Sequence, residues 1–149
     1  MKNYTREQLA AQPIGYWSGA AYRAVVGRIR AELATENLTQ PHWWTLNHVA
    51  GDPGGWNRER LTARLSPFDD QDTDFAAVFD DLADRGWLAE EAGTLTLTEA
   101  GRAGLARARE HTARAHVQTH LGITTDEYVA ALNVLRRMIE NLGGDSDLP

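Results

Sequence analysis

The stretch TDFAAVFDDLADRGWLAEEAGTLTLT, from Thr73 to Thr98, decides the fold. Phe75, Val78, Phe79 and Leu82 recur at i, i+3, i+4 and i+7, the spacing of one buried helix face. Thr73 is placed to cap this helix and Gly86 to close it. Past Trp87-Leu88, the segment Glu90-Glu91-Ala92-Gly93 leads into the alternation Thr94-Leu95-Thr96-Leu97-Thr98, which predicts a strand returning from a tight hairpin.

Working back from Thr73, the acidic loop Asp69-Asp70-Gln71-Asp72 follows a short helix that Asn57 can cap, with Leu61 and Leu65 one turn apart and Pro67 at its end. Two short helices joined by a turn form a helix-turn-helix. Before them, Thr39 precedes Pro41, and Trp43, Leu46 and Val49 share one side of a helix that runs to Ala50 and stops at Gly51. Further back, Tyr22, Val25, Val26, Ile29 and Leu33 make a helical stripe between Ile14 and about Thr35, widened by Trp17, Ala21 and Ala24. After Thr98 the pattern is helical to about Leu121, with Gly104, Ala108, Thr112 and Ala115 leaving room for another helix. Thr124 and Glu127 then form a capping box ahead of Tyr128, Leu132, Leu135, Ile139 and Leu142.

The expected fold is mainly α with a small β-hairpin wing: a winged helix-turn-helix over residues 39–97 within a single domain of residues 1–149. The stripes at 14–36 and 98–142 are wider than one wing domain covers, so these helices are expected to dimerise with a second copy.

Composition agrees with a globular chain of 149 residues, 42% hydrophobic and 24% charged. With no cysteine, disulfides, thiol nucleophiles and Cys-ligated zinc are excluded. No apolar run near the start suits a signal peptide or membrane span, so the expectation is a cytoplasmic protein with no membrane partner. No nucleophile elbow or phosphate loop is present, and catalysis is not expected. The formal net charge of -6 opposes the basic footprint usual in nucleic-acid binders, although a negative whole can carry a positive patch.

Three local sequences resemble the MarR family (multiple-antibiotic-resistance regulators). Leu38-Thr39-Gln40-Pro41-His42-Trp43-Trp44-Thr45-Leu46 is similar to the family's L-T-x-x-Q-W-x-V-L; Leu82-Ala83-Asp84-Arg85-Gly86-Trp87-Leu88 is similar to L-E-x-R-G-L-V; and Leu95-Thr96-Leu97-Thr98-Glu99-Ala100-Gly101-Arg102 is similar to L-x-L-T-E-x-G-R. The resemblance spans nearly the whole chain. It implies a homodimeric, ligand-responsive transcriptional regulator whose recognition helix enters the major groove of double-stranded DNA while the wing follows the minor groove.

Carried onto this sequence, the resemblance assigns DNA contacts to Thr73, Asp74, Ala76 and Ala77, with Arg58, Arg60 and Arg64 able to touch phosphates. Two departures weaken it. The family's Ser-x-x-Thr-Arg reads Thr73-Asp74-Phe75-Ala76-Ala77 here, putting Ala77 at the arginine position, and the face carrying Asp80 and Asp84 suits phosphate poorly. The wing loop is also short and lacks arginine. The alternative is therefore a MarR-like dimer without sequence-specific DNA binding, acting as a small-molecule sensor or protein-interaction module. For the three arginines, the alternative is a solvated helix face.

In the resembled family a small aromatic effector sits between the dimer helices and the winged domain, and Trp17, Trp43 and His48 are the candidates to line that cleft. Core or dimer packing is the other reading of these aromatics. His116 and His120, four apart, have spacing that could share a metal ion, with His42, His48 or His111 as a third ligand, but two ligands are not a site. Asp69 to Asp74 lack the glycine and terminal glutamate of a calcium loop. No metal or cofactor is expected.

Overall fold

A computed structural model describes residues 2–147. Its elements are α1 (Arg6–Ala10), α2 (Ile14–Ala34), α3 (Gln40–Gly51), α4 (Arg58–Leu65), a 3-10 turn at Ser66–Phe68, α5 (Phe75–Asp84), β1 (Leu88–Glu91), β2 (Thr94–Leu97), α6 (Glu99–Thr119) and α7 (Thr125–Asn141). The architecture is mainly helical with one two-stranded antiparallel hairpin. Two compact units divide the chain, Met1–Ala115 and His116–Pro149.

Caps set the starts of α3, α4 and α7 where the sequence places them. Asn57 Oδ1 accepts the Arg60 N–H at 2.8 Å to open α4, and Thr124 with Glu127 closes the capping box of α7. The start of α5 differs by one residue. Asp74, not Thr73, is the cap, its Oδ1 accepting the Ala77 N–H at 3.2 Å. Thr73 is diverted because Asp69 captures it twice: its backbone N–H donates to Oδ2 at 2.6 Å and its hydroxyl to Oδ1 at 2.7 Å. An ionised carboxylate is the stronger acceptor, and these bonds hold Asp69 below its usual pKa. The short α1, opened by a capping box between Thr5 and Gln8, has no counterpart in the sequence reading.

In the first unit a single core gathers Leu33 of α2, Leu46 and Val49 of α3, Leu61 and Leu65 of α4, Phe75, Phe79 and Leu82 of α5, Leu95 of β2 and Leu105 of α6. Trp43, Trp44, Trp56 and Trp87 pack partly buried against it. The hairpin pairs Leu88 with Leu97 through to Glu91 with Thr94, and Leu95 donates its N–H to the Trp56 carbonyl at 2.9 Å, pinning the wing to the chain just ahead of α4.

Trp87 fixes the hairpin against α6. A Cβ on Gly101 would stand 2.1 Å from the Trp87 carbonyl oxygen, and one on Gly104 would stand 2.5 Å from its indole, so two glycines make the close approach possible.

In the second unit α7 buries none of its residues. Tyr128, Val129, Leu132, Val134 and Met138 are all exposed along it. At the other end of the chain, the start of α2 exposes Ile14, Tyr16, Trp17 and Tyr22. No helix among the described residues is long and apolar enough to cross a membrane.

Candidate nucleic-acid interface

Helix α5 buries Phe75, Val78, Phe79 and Leu82, which turns Ala76, Ala77, Asp80 and Asp84 outward. Its N-cap, Asp74, is exposed and Thr73 is half-buried. The sequence-expected contact residues Thr73, Asp74, Ala76 and Ala77 thus gather at one end of α5, but none offers a cation. Ala77, at the position of the family's arginine, presents only a methyl group.

The arginines of α4 diverge. Arg58 donates from Nη1 to Asp80 Oδ1 at 2.7 Å and from Nε to Glu90 Oε2 at 2.8 Å, so one guanidinium ties α4 to both α5 and β1. Its hydrogen bond to Asp80, followed by that to Glu90, raises its pKa above the ordinary arginine value. Arg60 donates to the Gly55 carbonyl at 2.6 Å and lies over the Trp56 ring, while Arg64 lies over Phe68. The three are therefore not a common patch.

His42 carries a role the sequence reading missed. Its Nδ1 accepts the Thr39 N–H at 3.3 Å, and its Nε2 stands 3.0 Å from Asp81 Oδ2, which also pairs with Arg85 at 2.7 Å. The ring caps α3 and braces α5 together. Burial depresses its pKa, outweighing the attraction of Asp81, and this favours the neutral ring; the Thr39 N–H aimed at Nδ1 leaves the proton on Nε2, facing Asp81. The available signal was its place three residues after Thr39, where a capping box puts its acceptor.

Asp70 makes a second brace, accepting from the Tyr22 hydroxyl at 2.7 Å and from Arg30 Nη2 at 2.6 Å. Helix α2 thereby holds the loop that leads into α5. Asp70 lies below its usual pKa, chiefly through the Tyr22 hydrogen bond.

The expected effector residues are not brought together. Trp17 lines an apolar groove of about 570 Å³ with Lys2, Tyr4, Leu9 and Ile14, and neither Trp43 nor His48 lines it. Trp43 packs on the core, whereas His48 donates to the Trp44 carbonyl at 2.9 Å and meets Trp56 edge-on at 5.6 Å. His116 and His120 stack at 4.0 Å, with His120 Nδ1 donating to the His116 carbonyl. No group of three or more His, Asp or Glu among the described residues is arranged to hold a metal ion.

Helices α4 and α5 with the following hairpin define a winged helix-turn-helix protein. No protein-family profile matches the chain, and no curated protein does. Among solved structures it is similar to a MarR family protein of Mycobacterium tuberculosis in complex with DNA, at 25% identity and TM-score 0.67 over 89% of this chain and 99% of that one. It is similar to the transcriptional repressor CouR at 25% identity and TM-score 0.69, covering 92% and 98%. The PcaV transcriptional regulator of Streptomyces coelicolor matches at 20% identity and TM-score 0.71, covering 89% and 98%. The mycobacterial protein is also solved with p-aminosalicylic acid and with salicylic acid. The fold of this chain is the MarR-type winged helix.

Proposed function

We propose that the protein is a DNA-binding transcriptional regulator of MarR type, working as a homodimer through its terminal helices. The observation that carries this reading is the similarity, over 89% of the chain, to a MarR family protein solved with DNA. Two protomers paired through residues 14–36 and 98–142 would present two copies of α5 to successive major grooves of double-stranded DNA. Thr73, Asp74, Ala76 and Ala77 would lie at the groove, with Arg60, Arg64 and Arg58 toward the backbone. The arginine contacts to phosphate would supply affinity without sequence reading, which falls to the four residues at the groove.

A small aromatic effector belongs to the same reading. The groove beside Trp17 has the stacking surface such a ligand needs, and Lys2 offers a cation to an acid group. A ligand acts here by its differential affinity for the DNA-compatible state.

One observation favours the second reading, a dimer that serves as a sensor or protein-interaction module: the outward side of α5 carries Asp80 and Asp84 and no arginine. A salt-dependent titration against the gene's own upstream DNA and a scrambled duplex of equal length separates the two. Preferential binding to the upstream duplex that weakens steeply with salt is the expected outcome. Absence of binding to either duplex at low salt would favour the sensor.

A further inference from the structure

Arg58 stands where a phosphate-contacting cation is wanted, between the recognition helix and the wing, yet both anions it holds are the protein's own. Asp80 comes from the middle of α5 and Glu90 from β1, and their bonds of 2.7 and 2.8 Å occupy Nη1 and Nε of the same guanidinium. The side chains keep 35% (Arg58), 63% (Asp80) and 38% (Glu90) of their exposure, so the cluster is reachable from solvent and can exchange partners. Its position is fixed from behind: the Leu95 N–H bonds the Trp56 carbonyl two residues before Arg58, and Leu95 is the register partner of Glu90.

We propose that Asp80 and Glu90 are built-in phosphate surrogates that mask Arg58, and that duplex binding proceeds by exchange of these carboxylates for a backbone phosphate. The proposal rests on the DNA-binding reading above and adds how that surface selects its partner. Two carboxylates on one guanidinium leave the notch with a net negative charge, which repels an approaching phosphate. Exchanging one oxygen anion for another on the same cation gains little. Duplex that offers phosphates alone is therefore disfavoured, and only DNA that also contributes contacts at base edges opens the cluster. The acidic recognition helix becomes a device against nonspecific binding.

The test is a cycle of four full-length proteins titrated with a random-sequence duplex and with the upstream DNA between about 50 and 200 mM salt: wild type, Arg58→Ala, the Asp80→Asn/Glu90→Gln double variant, and the triple variant. The substituted side chains are all solvent-accessible, and thermal melting checks that each protein is folded. The double variant is expected to bind random duplex roughly tenfold more tightly than wild type, narrowing its preference for upstream DNA. Adding Arg58→Ala to the double variant should withdraw most of that gain and flatten the slope of log affinity against log salt by about 0.9 per protomer. The same substitution in the wild type should cost several-fold less. An equal cost of Arg58→Ala in both backgrounds would show Arg58 unmasked from the start and overturn the proposal. So would a gain in the double variant that survives loss of Arg58, because simple repulsion would then explain it. If none of the four binds either duplex at low salt, the DNA-binding reading falls and the masking goes with it.

Discussion

His42 shows how much one side chain can decide. As acceptor for the Thr39 N–H and partner of Asp81, it joins the cap of α3 to the side of α5, and both bonds suit the neutral ring. Burial lowers its pKa from the ordinary 6.5, against the pull of Asp81 and with help from Arg85. A base that binds its proton less well folded than unfolded contributes stability that is fully present above about pH 6.5, and this stability is lost as pH falls toward the lower folded value. The melting temperature is therefore expected to fall on acidification from about pH 7.5 to 5.5. His42→Gln keeps an acceptor for Thr39 and removes the titration, so its melting temperature should change less over the same interval. An equal acid shift in both proteins would place the pH sensitivity elsewhere.

At the scale of elements, the wing turns on two residues in the left-handed region, Ala92 at φ 49° and Gly93 at φ 78°, as a tight hairpin of the I′ kind demands. Gly93 adopts this freely, whereas a Cβ at Ala92 costs roughly 1–2 kcal/mol. Ala92→Asn creates the preferred Asn-Gly turn, and a gain of about 0.5–1 kcal/mol is expected, read as a higher urea midpoint at unchanged slope. The elements themselves were legible because their signals are local: the stripe from Phe75 to Leu82, the alternation from Thr94 to Thr98 and the caps at Asn57 and Thr124 each lie within a few residues. Thr73 yields the cap to Asp74 because Asp69, which holds it, sits four residues upstream in a loop whose path no periodicity reveals. The Arg58–Asp80–Glu90 cluster was out of reach for a stronger form of the same reason. Its members are 22 and 32 residues apart and meet only once the core has set α4, α5 and the wing side by side. The grouping of Trp17 with Trp43 and His48 rests on family resemblance and on no local spacing, while the groove in one protomer gives Trp17 neighbours from the N-terminal segment.

For the whole molecule, the exposed apolar surface argues for a second copy. Leu132 is 42% exposed, with Tyr128 and Val129 one turn before it on the same side of a helix that buries nothing of its own. A contiguous apolar face of this kind marks an interaction surface, and a twofold axis lets the same face serve both partners. Burying one leucine is worth about 1.5–3 kcal/mol, and a symmetric pair meets each substitution twice. Leu132→Asp should therefore weaken the dimer by roughly two orders of magnitude or more, shifting sedimentation equilibrium from dimer toward monomer at micromolar protein. The core of the first unit contains no residue of α7, so the winged segment should keep its helical signal. Binding to upstream DNA should fall more than binding to random duplex, because two correctly spaced recognition helices are lost while single-protomer phosphate contacts remain. A variant that stays dimeric, or a wild-type protein that sediments as a monomer at the same concentration, would remove α7 from the interface and with it the two-half-site geometry proposed for this protein.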